Sequence, residues 1–246
     1  MNSSFDALAP LYDRLMSNVP YISWLSYYRL LLAKHELQPQ SFLDVCCGTG
    51  TLAEKLAADG FAVTGFDVSE PMIREAKRKI AASGFNVDYV VADAASLDLG
   101  RKFDAAYSFF DSLNYITEHE QLRRAIKRVA EHLEPGGSFI FDVNTAYAFE
   151  KRMFDQEDLR KQTEPKYSWK GAYDPESRLI QIHMKFWDGE DAISVDHVQR
   201  AYSDDELRAY LREAGFFDVS VFDSYTLNPA RERSDRLHYV ATLQSG

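Results

Sequence analysis

Ser41-Phe42-Leu43-Asp44-Val45-Cys46-Cys47-Gly48-Thr49-Gly50-Thr51-Leu52 is the segment around which the chain is organised. Its apolar run, 42–47, has strand character. Gly48 and Gly50 permit positive φ and close approach of a ligand to the backbone. From Thr51 the pattern turns helical, with Leu52, Ala53, Leu56 and Ala57 at helical spacing. A strand, a Gly-x-Gly turn and a helix start together form a seat for a nucleotide or nucleoside.

Working outward, the rhythm of strand and helix continues to residue 145. The patterning predicts strands at 42–46, 62–66, 87–91, 103–109 and 138–142, and helices at 51–59, 70–82 and 118–133. Ser69 before Glu70-Pro71 suits a helix start, and Pro135-Gly136-Gly137 stops a helix and turns the chain into the next strand. Near-continuous apolar strands separated by helices imply a parallel sheet covered on both faces. Residues 1–40 precede this core as a helical flap, with an amphipathic helix at 22–36. The aromatics before it either pack on the domain or close over a ligand. Residues 146–202 break the rhythm with alternating segments around the turns Asp174-Pro175-Glu176-Ser177 and Asp188-Gly189-Glu190-Asp191. They read as an inserted antiparallel lid of about three strands. Residues 203–246 return to the core, with a capping box at Ser203–Glu206, a helix at 204–214, and strands at 216–222 and 237–242 paired antiparallel at the sheet edge. The fold class is therefore α/β: a Rossmann-like, seven-stranded, mostly parallel sheet with a small antiparallel lid.

The 246 residues carry a net charge of -10, which disfavours nucleic acid or an anionic membrane as partner on field grounds. The two cysteines, Cys46 and Cys47, are adjacent; side chains of neighbouring strand residues point to opposite faces, so a mutual disulfide is not expected. Without clustered histidines they also make a poor metal site. No basic start followed by an apolar segment opens the chain, and no run is long enough to span a bilayer, so a soluble, cytoplasmic setting is expected.

Gly48-Thr49-Gly50-Thr51-Leu52-Ala53 fits the Gly-x-Gly-x-x-Ala turn of dinucleotide folds, a weak match by itself that keeps a dehydrogenase in view. Three acids shift the reading. Asp44 sits inside the strand, where a buried carboxylate needs partners such as backbone amides of the glycine loop or a ligand ammonium. Asp67 closes the next strand, where it can take both hydroxyls of a ribose. Asp93 closes the third beside Ala94, where acid and backbone N–H can read an adenine edge.

With Gly65-Phe66-Asp67-Val68-Ser69-Glu70-Pro71-Met72 and Ala92-Asp93-Ala94, this series resembles the motifs of class I S-adenosylmethionine-dependent methyltransferases across residues 40–145. Cys46 departs from it, standing where the family has the first glycine of its loop. The segments Tyr12–Met16, Val19–Tyr21 and Phe110–Tyr115 are similar to a bacterial small-molecule subgroup that includes YqeM-like proteins. The resemblance implies S-adenosyl-L-methionine as cofactor. Asp44, Gly48 and Gly50 would hold its methionine part, Asp67 the ribose, Val68 and Met72 the surroundings of the adenine, and Asp93 and Ala94 the adenine edge. Phe109 would line the methyl group, and Tyr12 and Tyr21 would close over it.

Methyl transfer from a sulfonium asks chiefly for alignment in a site emptied of water, worth about 7–11 kcal/mol of barrier. A base is needed only where the acceptor carries a proton at attack. Asp111 is the nearest candidate, with His183 and His197 as others. Asp111, Ser112, Asn114, Tyr115, Asn144 and His183 form the expected acceptor set; His35, His119, His132 and His238 read as structural, and Trp169 and Trp187 as lid core. No metal is expected. The expected function is methyl transfer to a small molecule. The alternatives are a non-catalytic cofactor-binding regulator and an RNA methyltransferase, the latter disfavoured by the charge.

Overall fold

The structure, a computed structural model, describes residues 5–160, 166–188 and 191–244. Five strands, β1 (Ser41–Val45), β2 (Ala62–Asp67), β3 (Val87–Val91), β4 (Phe103–Ser108) and β5 (Leu133–Asn144), run parallel in the order β3-β2-β1-β4-β5. Crossovers through α3 (Thr51–Ala58), α4 (Glu70–Ser83) and α5 (His119–Glu131) link strands of this set. Ser69 caps α4 by accepting from the Met72 N–H, with Pro71 in the first turn.

The chain ends with α7 (Asp204–Glu213), β10 (Phe216–Asp223) and β11 (Arg236–Leu243). Ser203 and Glu206 form the expected capping box on α7. β10 and β11 pair antiparallel at the sheet edge, but β11 lies inside, between β5 and β10. His238 is therefore on an interior strand and fully buried, not on the edge strand the sequence suggested. Burial lowers its pKa to about 3, so it packs as a neutral ring.

Each face of the sheet buries its own apolar layer. One layer joins Leu43, Phe139, Phe141 and Tyr239 to α5 and α7. The other joins Phe42, Tyr107 and Ile140 to α3, α4 and a long helix before β1, α2 (Tyr21–Lys34), which follows a single turn, α1 (Tyr12–Leu15). α2 thus belongs to the core layer through Tyr28 and Leu31, while its first turn, with Tyr21 and Trp24, and the segment ahead of it stand over the sheet's carboxyl ends.

The lid is a separate antiparallel sheet, β6-β7-β8-β9, with β6 at Gln156–Asp158, β7 at Lys166–Asp174, β8 at Leu179–Asp188 and β9 at Asp191–Arg200. It has four strands where about three were expected. β6 is only three polar residues long, so no apolar alternation announces it. Part of the second expected turn, residues 189–190, lies outside the described residues. Ile180, Ile182, Met184 and Phe186 alternate inward on β8 and pack on Leu8 and on Phe149 of α6 (Ala146–Glu150). Among the described residues no helix is long and apolar enough to cross a membrane.

Candidate active site

The site is built at the carboxyl ends of β1, β2, β3 and β4. β1 ends at Val45 because Cys46 takes φ +59°, a left-handed conformation that costs an L-residue roughly 1–2 kcal/mol. Gly48 and Gly50 follow at φ +54° and +75°. A Cβ on Gly48 would meet nothing within 4 Å, so this glycine leaves open space beside the cavity. Gly50 differs: it does not line the cavity, and a Cβ there would stand 2.5 Å from Tyr89 Cζ. The Tyr89 hydroxyl donates to the Gly50 carbonyl at 3.1 Å. Gly50, expected among the cofactor residues, lets the turn pack on Tyr89.

Asp67 staples this turn to the next. Its Oδ2 accepts from the Gly48 N–H and its Oδ1 from the Ser69 N–H, both at 2.9 Å. Burial raises its pKa, and those backbone donors oppose the rise. Asp44 is only 4% exposed, and burial raises its pKa to about 7. The nearby Tyr107 hydroxyl favours its ionised form without a hydrogen bond of good geometry, while the charge of Asp67 opposes ionisation. The glycine loop does not supply the amide donors anticipated for Asp44. Asp93 accepts from the Ala95 N–H at 2.8 Å and from Gln121 Nε2 at 3.4 Å, capping a single 3-10 turn at Ala94–Ser96.

The N-terminal segment closes over these loops through two acids. Asp13 accepts from Thr49 Oγ1 at 2.5 Å and pairs with Lys79 Nζ at 2.7 Å. Asp6 accepts from Ser69 Oγ at 2.6 Å. Tyr12 and Tyr21 both line the cavity beneath this segment. The Tyr12 phenol is pushed up by burial and further by Tyr21, Tyr115 and Asp111, so it remains a neutral donor.

The cavity wall after β4 turns on two consecutive left-handed residues, Phe110 at φ +70° and Asp111 at φ +49°. Strain of this kind persists only where the surroundings hold it. Here Asp142 holds it, accepting from the Phe110 N–H at 2.8 Å and the Asp111 N–H at 3.1 Å. Arg236 then bridges Asp142 and Asp111, meeting Asp111 Oδ1 at 2.8 Å. Burial disfavours its charge, but the two carboxylates outweigh that and its pKa ends above the ordinary value. Gln199 Nε2 donates to Asp111 Oδ2 at 2.6 Å. The Asp111 carboxylate is thus fixed at both oxygens.

One cavity of about 920 Å³ joins these parts. It runs from Asp44, Asp67 and Asp93 past Tyr12 and Phe109 to Trp169 and Phe186 of the lid. Val68, Met72, Ala94, Asp111, Ser112, Tyr115 and Asn144 also line it. Two expected acceptor residues do not. Asn114 is a fully buried brace, its amide joining Asn144 N–H, the Asn144 carbonyl and the Arg200 carbonyl. His183 faces outward, opposite Met184 and Phe186 on β8, and pairs with Asp196 at 2.8 Å. His197 is buried, with burial lowering its pKa to about 4. None of His35, His119, His132 and His238 lines the cavity. The sequence reading missed Asp13, Gln199 and Arg236, whose partners are distant in the chain.

Residues 42–137 match a protein family described as a methyltransferase domain. The methyltransferase-family protein YqeM of Bacillus subtilis (strain 168) is 30% identical over 243 residues, 96% of each chain. Over a shorter stretch of 105 residues, 43% of each chain, identity is 35% to the dTDP-3-amino-3,4,6-trideoxy-alpha-D-glucopyranose N,N-dimethyltransferase of Streptomyces venezuelae. A crystal structure of an S-adenosylmethionine-dependent methyltransferase from Clostridium acetobutylicum ATCC 824 superposes with a TM-score of 0.83 at 27% identity, covering 98% of this chain and all of that one.

Proposed function

This chain belongs to the family of S-adenosylmethionine-dependent methyltransferases, and from that premise we propose that it methylates a small-molecule acceptor held between the glycine turn and the lid sheet. The observation that carries the reading is the single cavity connecting the acids of β1–β3 to the apolar lid wall. Its volume is in the range that encloses small ligands.

The residues fit S-adenosylmethionine. A buried carboxylate at Asp44, without a cationic partner among the described residues, suits an ammonium group. The open face of Gly48 leaves room for the methionine part, Asp67 suits ribose hydroxyls, and Asp93 with Ala94 suits the adenine edge between Val68 and Met72. When bound, the cofactor supplies an electrophilic methyl group on a sulfonium. Tyr12, Phe109 and the lid wall exclude water from that region. Asp111, held by Arg236 and Gln199, orients an acceptor N–H or O–H and takes its proton at a carboxylate oxygen where one must leave. Asn144 and the Tyr115 hydroxyl add neutral groups for positioning.

The test is to incubate the protein with S-adenosylmethionine and fractionated metabolite extract, follow S-adenosylhomocysteine release, and weigh the new product. A low-mass product heavier by one methylene, formed only with the protein, supports the proposal. Release that tracks only macromolecular fractions overturns it.

A further inference from the structure

Resting on the proposed small-molecule transfer, we infer that the acceptor is an apolar molecule carrying a basic amine and no phosphate or carboxylate. The inference comes from the charges on the cavity wall. Among the described residues, every cavity-lining side chain that the lid sheet contributes is uncharged: Trp169, Met184, Phe186 and Val198, with Gln156 as the polar member. Met153 and Phe154 extend the apolar surface. Such a wall recognises the body of its ligand by area and shape.

Among the described residues lining the cavity, Arg236 is the one cation. Its guanidinium is already shared between Asp142 and Asp111. A phosphate or carboxylate on the acceptor would find no free cation, whereas phosphate recognition ordinarily uses Arg or Lys forks or helix N-termini. Carboxylates abound instead. Asp44, Asp67 and Asp93 serve the cofactor half, and Asp111 and Asp235 face the acceptor half. Asp111 is offset by Arg236. Asp235 is half-buried on the wall, and among the described residues its side chain pairs with no cation. A protonated amine therefore meets an unmatched negative charge there, and an anion meets repulsion. This separates the chain from the relative whose name specifies a dTDP-linked sugar, since that diphosphate would have no counterion in this cavity.

The experiment is calorimetric titration of the protein, first saturated with S-adenosylhomocysteine, with tryptamine, with indole-3-propionate as a ring-matched anion, and with thymidine diphosphate. Tryptamine is expected to bind at least about tenfold more tightly than indole-3-propionate, with no binding of thymidine diphosphate. Asp235→Asn should cut that preference to about threefold or less without changing S-adenosylhomocysteine affinity. Phe186→Ala should weaken both indole probes, and affinities unchanged in that variant count against the apolar wall. Equal or tighter binding of the anion or the diphosphate, no binding of either indole probe, or a preference unmoved by Asp235→Asn each overturns the inference. Failure of S-adenosylhomocysteine itself to bind would instead strike the cofactor reading on which the proposal rests.

Discussion

Asp44 makes cofactor binding depend on pH in a direction that can be worked out. Burial holds its pKa near 7, so at neutral pH about half the unliganded molecules carry a neutral carboxyl. If the ionised form is what receives the ligand ammonium, apparent affinity follows the ionised fraction. That fraction rises from roughly a tenth at pH 6 to about three-quarters at pH 7.5, an increase near eightfold or ~1.2 kcal/mol. Asp67 is displaced the same way by burial and adds with the same sign. His197 and His238, near 4 and 3, stay neutral throughout and contribute nothing. Unliganded stability runs oppositely: with the folded pKa raised, the Asp44 contribution is fully present below about pH 4 and is lost as pH rises through 7. Calorimetry with S-adenosylhomocysteine at pH 6 and 7.5, in buffers of different ionisation enthalpy, measures both the slope and the proton released. Asp44→Asn should weaken binding and flatten the slope. Affinity that is constant over this range, or a slope undiminished in Asp44→Asn, would refute the reasoning.

Three further outcomes follow from the geometry. Gly50→Ala forces a left-handed alanine into the Tyr89 phenol, so about 2–4 kcal/mol of stability should be lost, seen as a lower midpoint in urea unfolding. Cys46→Gly should be close to neutral, because relief of the positive φ is offset by greater freedom of the unfolded chain, whereas Cys46→Val should cost about 1–2 kcal/mol in the same assay. Asp13→Asn removes the Lys79 ion pair and weakens the tie to Thr49 and Thr51; stopped-flow displacement should show S-adenosylhomocysteine leaving several-fold faster, with the unfolding midpoint nearly unchanged.

The glycine turn and its flanking strand and helix were legible because each rests on local rules: an apolar run, positive φ at glycine, helical spacing. One acid inside the first strand and two at the ends of the next two were equally plain, since carboxylates at those positions demand a reason. What failed was non-local or two-faced. Gly50 and Gly48 look alike in sequence, yet only the packing of Tyr89 from the third strand decides that Gly50 serves the turn and Gly48 the cavity. Asp13 looks like a solvated acid on a short helix until Thr49 and Lys79 arrive from elsewhere in the chain. Asp111 gave no sign of its fixed carboxylate, because Gln199 and Arg236 come from the lid and the final strand. The outward face of His183 could have been found: Ile180, Ile182, Met184 and Phe186 alternate around it, which puts an odd-numbered neighbour on the opposite side. β11 entering the sheet between β5 and β10 follows from long-range pairing that no local pattern encodes.

The central claim, methyl transfer to a small molecule, is tested most directly by where the methyl group ends up. The protein is incubated with methyl-labelled S-adenosylmethionine and whole extract, which is then divided into low-mass, RNA and protein fractions. Label should accumulate in the low-mass fraction, dependent on the protein and lost in Asp67→Ala. Label confined to RNA or protein would contradict the claim.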